Sequence, residues 1–142
     1  MRNFGKNQGF TLIEIMVVIV ILGVLGALVI PNVLGRTGEA RVKAATVDLR
    51  AISTALDMYR MDNFVYPSSD QGLGALVAKP SGFPEAKNWV EPYLKKSPKD
   101  PWGNDYQYIS PGSNGPYDLF SLGADGKPGG EGEASDLFAS EL

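Results

Sequence analysis

A chain of 142 residues has room for one folded domain and little more. Its 13 basic and 16 acidic side chains give a formal net charge of −3, which leaves no electrostatic footprint for nucleic acid. Cysteine and histidine are both absent, which excludes disulfide staples, thiolate zinc sites, Cys or His nucleophile pairs and imidazole metal ligands; a hard cation held by oxygens stays open. Residues 1–9 form a short polar leader whose only charged side chains are Arg2 and Lys6. Residues 15–35 then run 21 positions without a charge, enough for a helix to cross a hydrocarbon core of roughly 30 Å. A secretory signal would also begin basic and apolar. This run is longer than a signal core, however, and ends in Pro31-Asn32 rather than at a small-x-small cleavage site. Arg2 and Lys6 before the run, against Arg36, Arg41, Lys43 and Arg50 after it, leave its orientation open on charge alone.

Glu14 is the anomaly in this segment, since a lone carboxylate in lipid costs about 2.5–3.5 kcal/mol. Either it reaches the headgroups from near a helix end, or it needs a positive partner inside the membrane. A chain cut after Gly9 would provide one, because the new amine on Phe10 could meet the Glu14 of a neighbouring subunit.

Past the apolar run the helix is expected to continue. Val42, Ala45, Leu49, Ile52, Leu56 and Tyr59 recur at spacings of three and four and make one apolar face, with Arg41, Lys43, Asp48, Arg50, Asp57 and Arg60 elsewhere on the wheel. Pro31 removes a backbone donor and is expected to kink or locally melt the helix. After Tyr59 the composition changes: nine of the ten prolines lie beyond Val65. Residues 63–71 read as a loop, 72–78 as a short helix and 97–101 as a rigid bend. Trp102, followed by Gly103 in a tight turn, is expected to bury its ring, and Trp89 and the tyrosines to join the core. Residues 106–110 and 117–122 alternate as two strands joined by a turn rich in glycine and proline. A long helix followed by a small antiparallel sheet is an α+β pattern.

Gly9-Phe10-Thr11-Leu12-Ile13-Glu14, behind a basic leader and ahead of an apolar run, resembles the class III signal of type IV pilins and pseudopilins. The resemblance implies a cut between Gly9 and Phe10 by a prepilin peptidase, N-methylation of Phe10 and an assembly role for Glu14. It also orients the chain, with the leader in the cytoplasm and the remainder outside the inner membrane. Residues 66–77 (YPSSDQGLGALV), 93–108 (YLKKSPKDPWGNDYQY) and 117–133 (YDLFSLGADGKPGGEGE) are similar to the major pseudopilins of the type II secretion system. Many type IV pilins of adhesion and motility carry a cysteine pair that is absent here, and minor pseudopilins lack the KDPWGN and SLGADG segments. One departure concerns the end of the chain, where the family often has Asp-Ile followed by a tryptophan and this chain reads Ser135-Asp136-Leu137-Phe138.

The resemblance implies a pilin-like α+β fold with a leader over 1–9, a transmembrane and assembly helix over 10–35 and a periplasmic globular domain over 36–142. It implies a single-pass inner-membrane protein that polymerises with copies of itself into a periplasmic pseudopilus driving export of folded proteins. The partners would be the prepilin peptidase, minor pseudopilins, the inner-membrane assembly platform and, before assembly, lipid. No phosphate-binding P-loop is present, which fits an energy source on another protein. A type IV pilin is the alternative structural role. A membrane-tethered enzyme using Asp125, Glu131, Glu133 or Asp136 is the alternative from another class.

Residues 122–137 hold those four acids against Lys127 alone, with five glycines between them. Composition by itself suits a disordered acidic tail, and EF-hand spacing fails at Pro128 and Gly129. The resemblance implies a calcium ion in this loop. By position Asp125 and Asp136 would be the principal ligands, Leu122 would add its carbonyl, and Glu133 and Ser135 would complete the set.

Overall fold

The structure, a computed structural model, describes residues 9–142, without the side chains of residues 29–36. Apart from Gly9, the expected leader lies outside the described residues, and the expected membrane segment is described only in part. The chain divides into two compact units, Met1–Thr37 and Gly38–Leu142, and one helix, α1 (Leu12–Asn63), contributes to both.

In the first unit α1 starts from Thr11. The Glu14 amide donates to the Thr11 hydroxyl at 3.3 Å and lies 3.1 Å from the Thr11 carbonyl, which also accepts from the Ile15 amide at 3.3 Å. Thr11 is therefore the N-cap, and Glu14 sits three residues on, in the first turn, where the helix dipole favours an acid. From residue 12 to 28 the side chains are almost all apolar and exposed, with Leu12 at 78% and Leu28 at 68%. Among the described residues no helix is long and apolar enough to cross a membrane. The described side chains of residues 12–28 cover 17 positions, fewer than the roughly 20 that a span requires, and the rest of the expected span is residues 29–35. The backbone remains helical through Pro31 rather than melting there, because a proline removes one donor and leaves the flanking ladder in place.

In the second unit the apolar face of α1 is the centre of the core. Ala45, Leu49, Ile52, Leu56 and Tyr59 are all buried, joined by Ala55, while Val42 is half-buried. Against them pack Ala75 and Leu76 from a single 3₁₀ turn (Leu73–Leu76), Ala86, Tyr106 and Leu119. Trp89 and the tyrosines other than Tyr59 and Tyr106 border this core half-buried. Asn63 closes the helix: its side chain donates to the Tyr59 carbonyl at 3.1 Å and accepts from the Asn88 amide at 3.0 Å. The sheet has three antiparallel strands in the order β1-β2-β3, with β1 at Gln107–Ile109, β2 at Asp118–Ser121 and β3 at Leu137–Phe138. Phe120 faces Phe138 across β2 and β3, their ring centroids 5.0 Å apart, so the C-terminal segment is held back against β2. That third strand was not expected.

Burial holds the phenols of Tyr59, Tyr66, Tyr93, Tyr106 and Tyr108 above their ordinary value, which ties the stability of the second unit to pH in alkali. Burial, then hydrogen bonding to Asp62 and the charge of that carboxylate, pushes the Tyr93 phenol up to about 12. Burial does the same to Tyr108, to about 12, and burial with the Asp48 charge raises Tyr106. A phenol whose folded pKa is raised binds its proton more tightly when folded, so its contribution is whole below the ordinary value of 10 and declines as pH rises through about 12. Urea unfolding followed against tyrosinate absorbance is expected to show constant stability up to pH 10 and a steady loss above it; a flat profile to pH 12 would remove these phenols from the account.

Candidate functional site

Two places collect the residues of interest. The first is the junction before α1. Phe10 is 80% exposed, and among the described residues a Cβ on Gly9 would meet nothing within 4 Å. The fold itself therefore does not require glycine at this position, and a requirement for it must come from something that reads the junction from outside. Thr11 belongs to the same site as the helix cap. Sequence reasoning passed over it, although Thr11-x-x-Glu14 ahead of an apolar run carries the capping-box signature.

The second is the loop of residues 122–136 between β2 and β3. Two glycines let its arms run side by side. Gly123 (φ +69) lies against the backbone of residues 133–135, and Gly130 (φ +90) lies against the Ala134 carbonyl, with no room for a side chain at either. The Ala124 amide donates to the Glu133 carbonyl at 2.8 Å, which ties the arms directly. Asp125, just beyond this tie, accepts from the Lys127 amide at 3.0 Å. Asp136, just before β3, accepts from the Gly129 amide at 2.9 Å through Oδ2. Its other oxygen, Oδ1, is buried and has no hydrogen-bond partner among the described residues. A buried acceptor left open is costly, and a cation would satisfy it. Leu122 follows β2 directly, and the Ser135 hydroxyl donates to the Gly132 carbonyl at 2.9 Å.

Among the described residues no three acids gather close enough to share one ion. An ion here would rest on Asp125 and Asp136 and otherwise on neutral oxygens, a donor set that suits calcium's tolerance of carbonyls. The open Asp136 oxygen is the one observation in the loop that a cation would answer. Glu133 is placed differently from the others. Its carboxylate accepts from the Trp102 indole at 3.2 Å, lies 3.8 Å from Arg41 and sits over Gly38.

Sequence reasoning also missed the residues that support the loop from outside. Asp100 is 4% exposed and accepts from the Trp102 amide at 3.1 Å, the Asn104 amide at 2.8 Å and the Ser121 hydroxyl at 2.8 Å. Ser121 accepts in turn from the Gly123 amide at 3.1 Å, and the Asn104 side chain donates to the Gly123 carbonyl at 3.2 Å. The turn at residues 100–104 thus holds the first arm of the loop. Trp102 does not enter the core cluster as expected; it is half-buried, because its indole N–H is drawn to Glu133.

A cavity of about 640 Å³ opens between Ser53 of α1, residues 113–119 and residues 138–141. None of Asp125, Glu131, Glu133 or Asp136 lines it, so the acids invoked for an enzyme do not surround it.

The family described as type II secretion system, protein G matches residues 32–140, and the prokaryotic N-terminal methylation motif matches residues 5–30. The type II secretion system core protein G of Pseudomonas aeruginosa is 60% identical over 133 residues, covering 93% of this chain and 94% of that protein. The Vibrio cholerae protein of the same name is 55% identical, covering 96% of this chain and 94% of its own length. The crystal structure of the major pseudopilin from the type 2 secretion system of enterohaemorrhagic Escherichia coli superposes with a TM-score of 0.68 at 42% identity, covering 79% of this chain and 96% of that one.

Proposed function

The chain belongs to the type II secretion system protein G family, and from that premise we propose that it is the repeating structural subunit of the secretion pseudopilus, polymerising in the periplasm to drive folded proteins across the outer membrane. The observation that carries this reading is the coverage: the methylation motif at one end and the protein G family over the rest account for nearly the whole chain. A filament needs a head-to-tail contact that does not close into a ring. The exposed apolar side chains of residues 12–28 supply surface that only lipid or other subunits would cover.

The same reading assigns the parts. Prepilin peptidase cuts between Gly9 and Phe10, Phe10 is N-methylated, and residues 10–35 anchor the precursor in the inner membrane. The globular domain then lies in the periplasm, and copies of the chain, the minor pseudopilins and the assembly platform are its partners. The role is mechanical rather than catalytic. Leu122 (through its carbonyl), Asp125, Ser135 and Asp136 hold calcium, which neutralises the loop's acids and fills the open Asp136 oxygen. The Glu133 carboxylate, given its contacts with Trp102 and Arg41, stays outside that set.

Deleting the chromosomal copy is expected to abolish export of folded proteins and leave twitching and adhesion unchanged. A wild-type copy should restore export, and mass spectrometry of its product should find a methylated Phe10 at the amino terminus. Gly9→Val should fail to restore it and should accumulate as uncut precursor, because a peptidase subsite shaped for glycine has no space for the side chain. Loss of twitching with intact export would replace this reading with the pilin one. An amino terminus still at Met1 in export-competent cells would overturn the processing.

A further inference from the structure

Glu133 belongs by position to the acids of the loop, yet its carboxylate faces away from them toward α1. Three residues receive it: Trp102, whose indole donates at 3.2 Å, Arg41 at 3.8 Å, and Gly38, directly beneath it. Arg41 and Glu133 are both substantially exposed, so their ion pair alone contributes little. The seat on Gly38 is more telling. Gly38 is buried inside α1, where glycine weakens a helix relative to alanine, and a Cβ at that position would collide with the Glu133 carboxylate. The helix thus gives up some intrinsic stability at the one place where this side chain needs room.

We propose that Glu133 is a latch and not an ion ligand: its carboxylate, seated over Gly38 and held by Trp102 and Arg41, docks the ion-binding loop onto α1. The proposal rests on the calcium reading above. Glu133 also receives the Ala124 amide on its own carbonyl, one residue before Asp125 and on the arm that ends at Asp136. An ion that orders this backbone favours the closed latch. By thermodynamic reciprocity the closed latch raises ion affinity by the same factor. Residues 38–41 of α1 thereby sense whether the loop is filled.

The test uses the full chain in detergent micelles, labelled with ¹⁵N and titrated with calcium chloride. The two indole N–H groups report separately, because Trp89 donates to the Ala75 carbonyl at 2.9 Å and serves as an internal reference. Calcium is expected to move the Trp102 resonance and leave that of Trp89 in place. Gly38→Ala alters no loop residue and favours the helix, and should weaken calcium binding about fivefold or more. Trp102→Phe and Glu133→Ala should weaken it by the same factor, and the Gly38→Ala/Trp102→Phe pair by no more than either alone. If Glu133→Ala abolishes binding while Gly38→Ala and Trp102→Phe bind like the wild type, Glu133 is a ligand and the latch is refuted. If the wild type takes up no calcium, the calcium reading falls and the coupling falls with it. The latch contact is then judged by itself, since the Trp102 resonance must still differ between wild type and Gly38→Ala. Identical Trp102 resonances in those two chains would overturn the contact as well.

Discussion

Glu14→Ala is expected to leave the chain at normal abundance in the inner membrane and to abolish filaments. Insertion does not suffer, because the change removes a carboxylate that costs about 2.5–3.5 kcal/mol in lipid. The helix still starts in the same place, since the bonds from the amide of residue 14 to Thr11 use only its backbone nitrogen. The variant forfeits the acid in the first turn, worth about 0.3–1 kcal/mol. That loss is too small to unfold a helix of 52 residues. On the proposed reading, what disappears is the counter-charge for a neighbour's terminal amine in a medium of low dielectric, where leaving one partner unpaired would cost about 3–5 kcal/mol. Repeated at every subunit, a loss of that size stops polymerisation. Membrane fractionation combined with electron microscopy of sheared filaments reads both halves of the expectation. Normal filaments would reduce Glu14 to an acid that merely reaches the headgroups.

Asp136→Ala is expected to remove the whole calcium-dependent part of stability. A ligand that binds only the folded state at a hundred times its dissociation constant adds about 2.7 kcal/mol. For a unit of this size that corresponds to a rise in Tm of roughly 10 °C or more. Calorimetry of the full chain in micelles, with calcium and then with chelator, should show this drop for the wild type. Asp136→Ala should show none, because one oxygen of its carboxylate is the open acceptor that the ion would fill. Asp125→Ala should behave likewise. Lys127→Ala should keep the full increment, as its part in the loop is a backbone amide bonded to Asp125. A wild-type Tm indifferent to calcium would leave the loop without its ion.

How much of this was legible in the sequence depends on how local each feature is. The buried face from Ala45 to Tyr59 follows from helical spacing alone, and β1 and β2 follow from alternation over a few residues. β3 has only two residues, too few for any period to show, and is a strand because Phe138 stacks on Phe120, eighteen positions earlier in the chain. The orientation of Glu133 was out of reach for the same reason. Composition groups it with its acidic neighbours, whereas Gly38, Arg41 and Trp102, all far away in the chain, turn it elsewhere. Asp100 and Asn104 looked like ordinary turn residues, and their hold on Gly123 becomes visible only once the loop is folded against them. Thr11 differs, since Thr11-x-x-Glu14 ahead of an apolar run is a local signature that the sequence carries in full.

The cap at Thr11 has a consequence for the energetics of the monomer. With the proposed cut, only Phe10 separates the new amine from the N-cap, so a positive charge is set beside the positive end of the helix dipole, the arrangement that a helix disfavours. N-methylation leaves that charge in place. On the proposed processing, a mature subunit alone in the bilayer would carry that unfavourable charge at its first turn, and its own Glu14 would offset it only in part. A second subunit's Glu14 beside the amine would relieve it more fully. On this view polymerisation draws part of its driving force from strain that processing has just introduced: the peptidase releases the subunit and at the same time charges the spring.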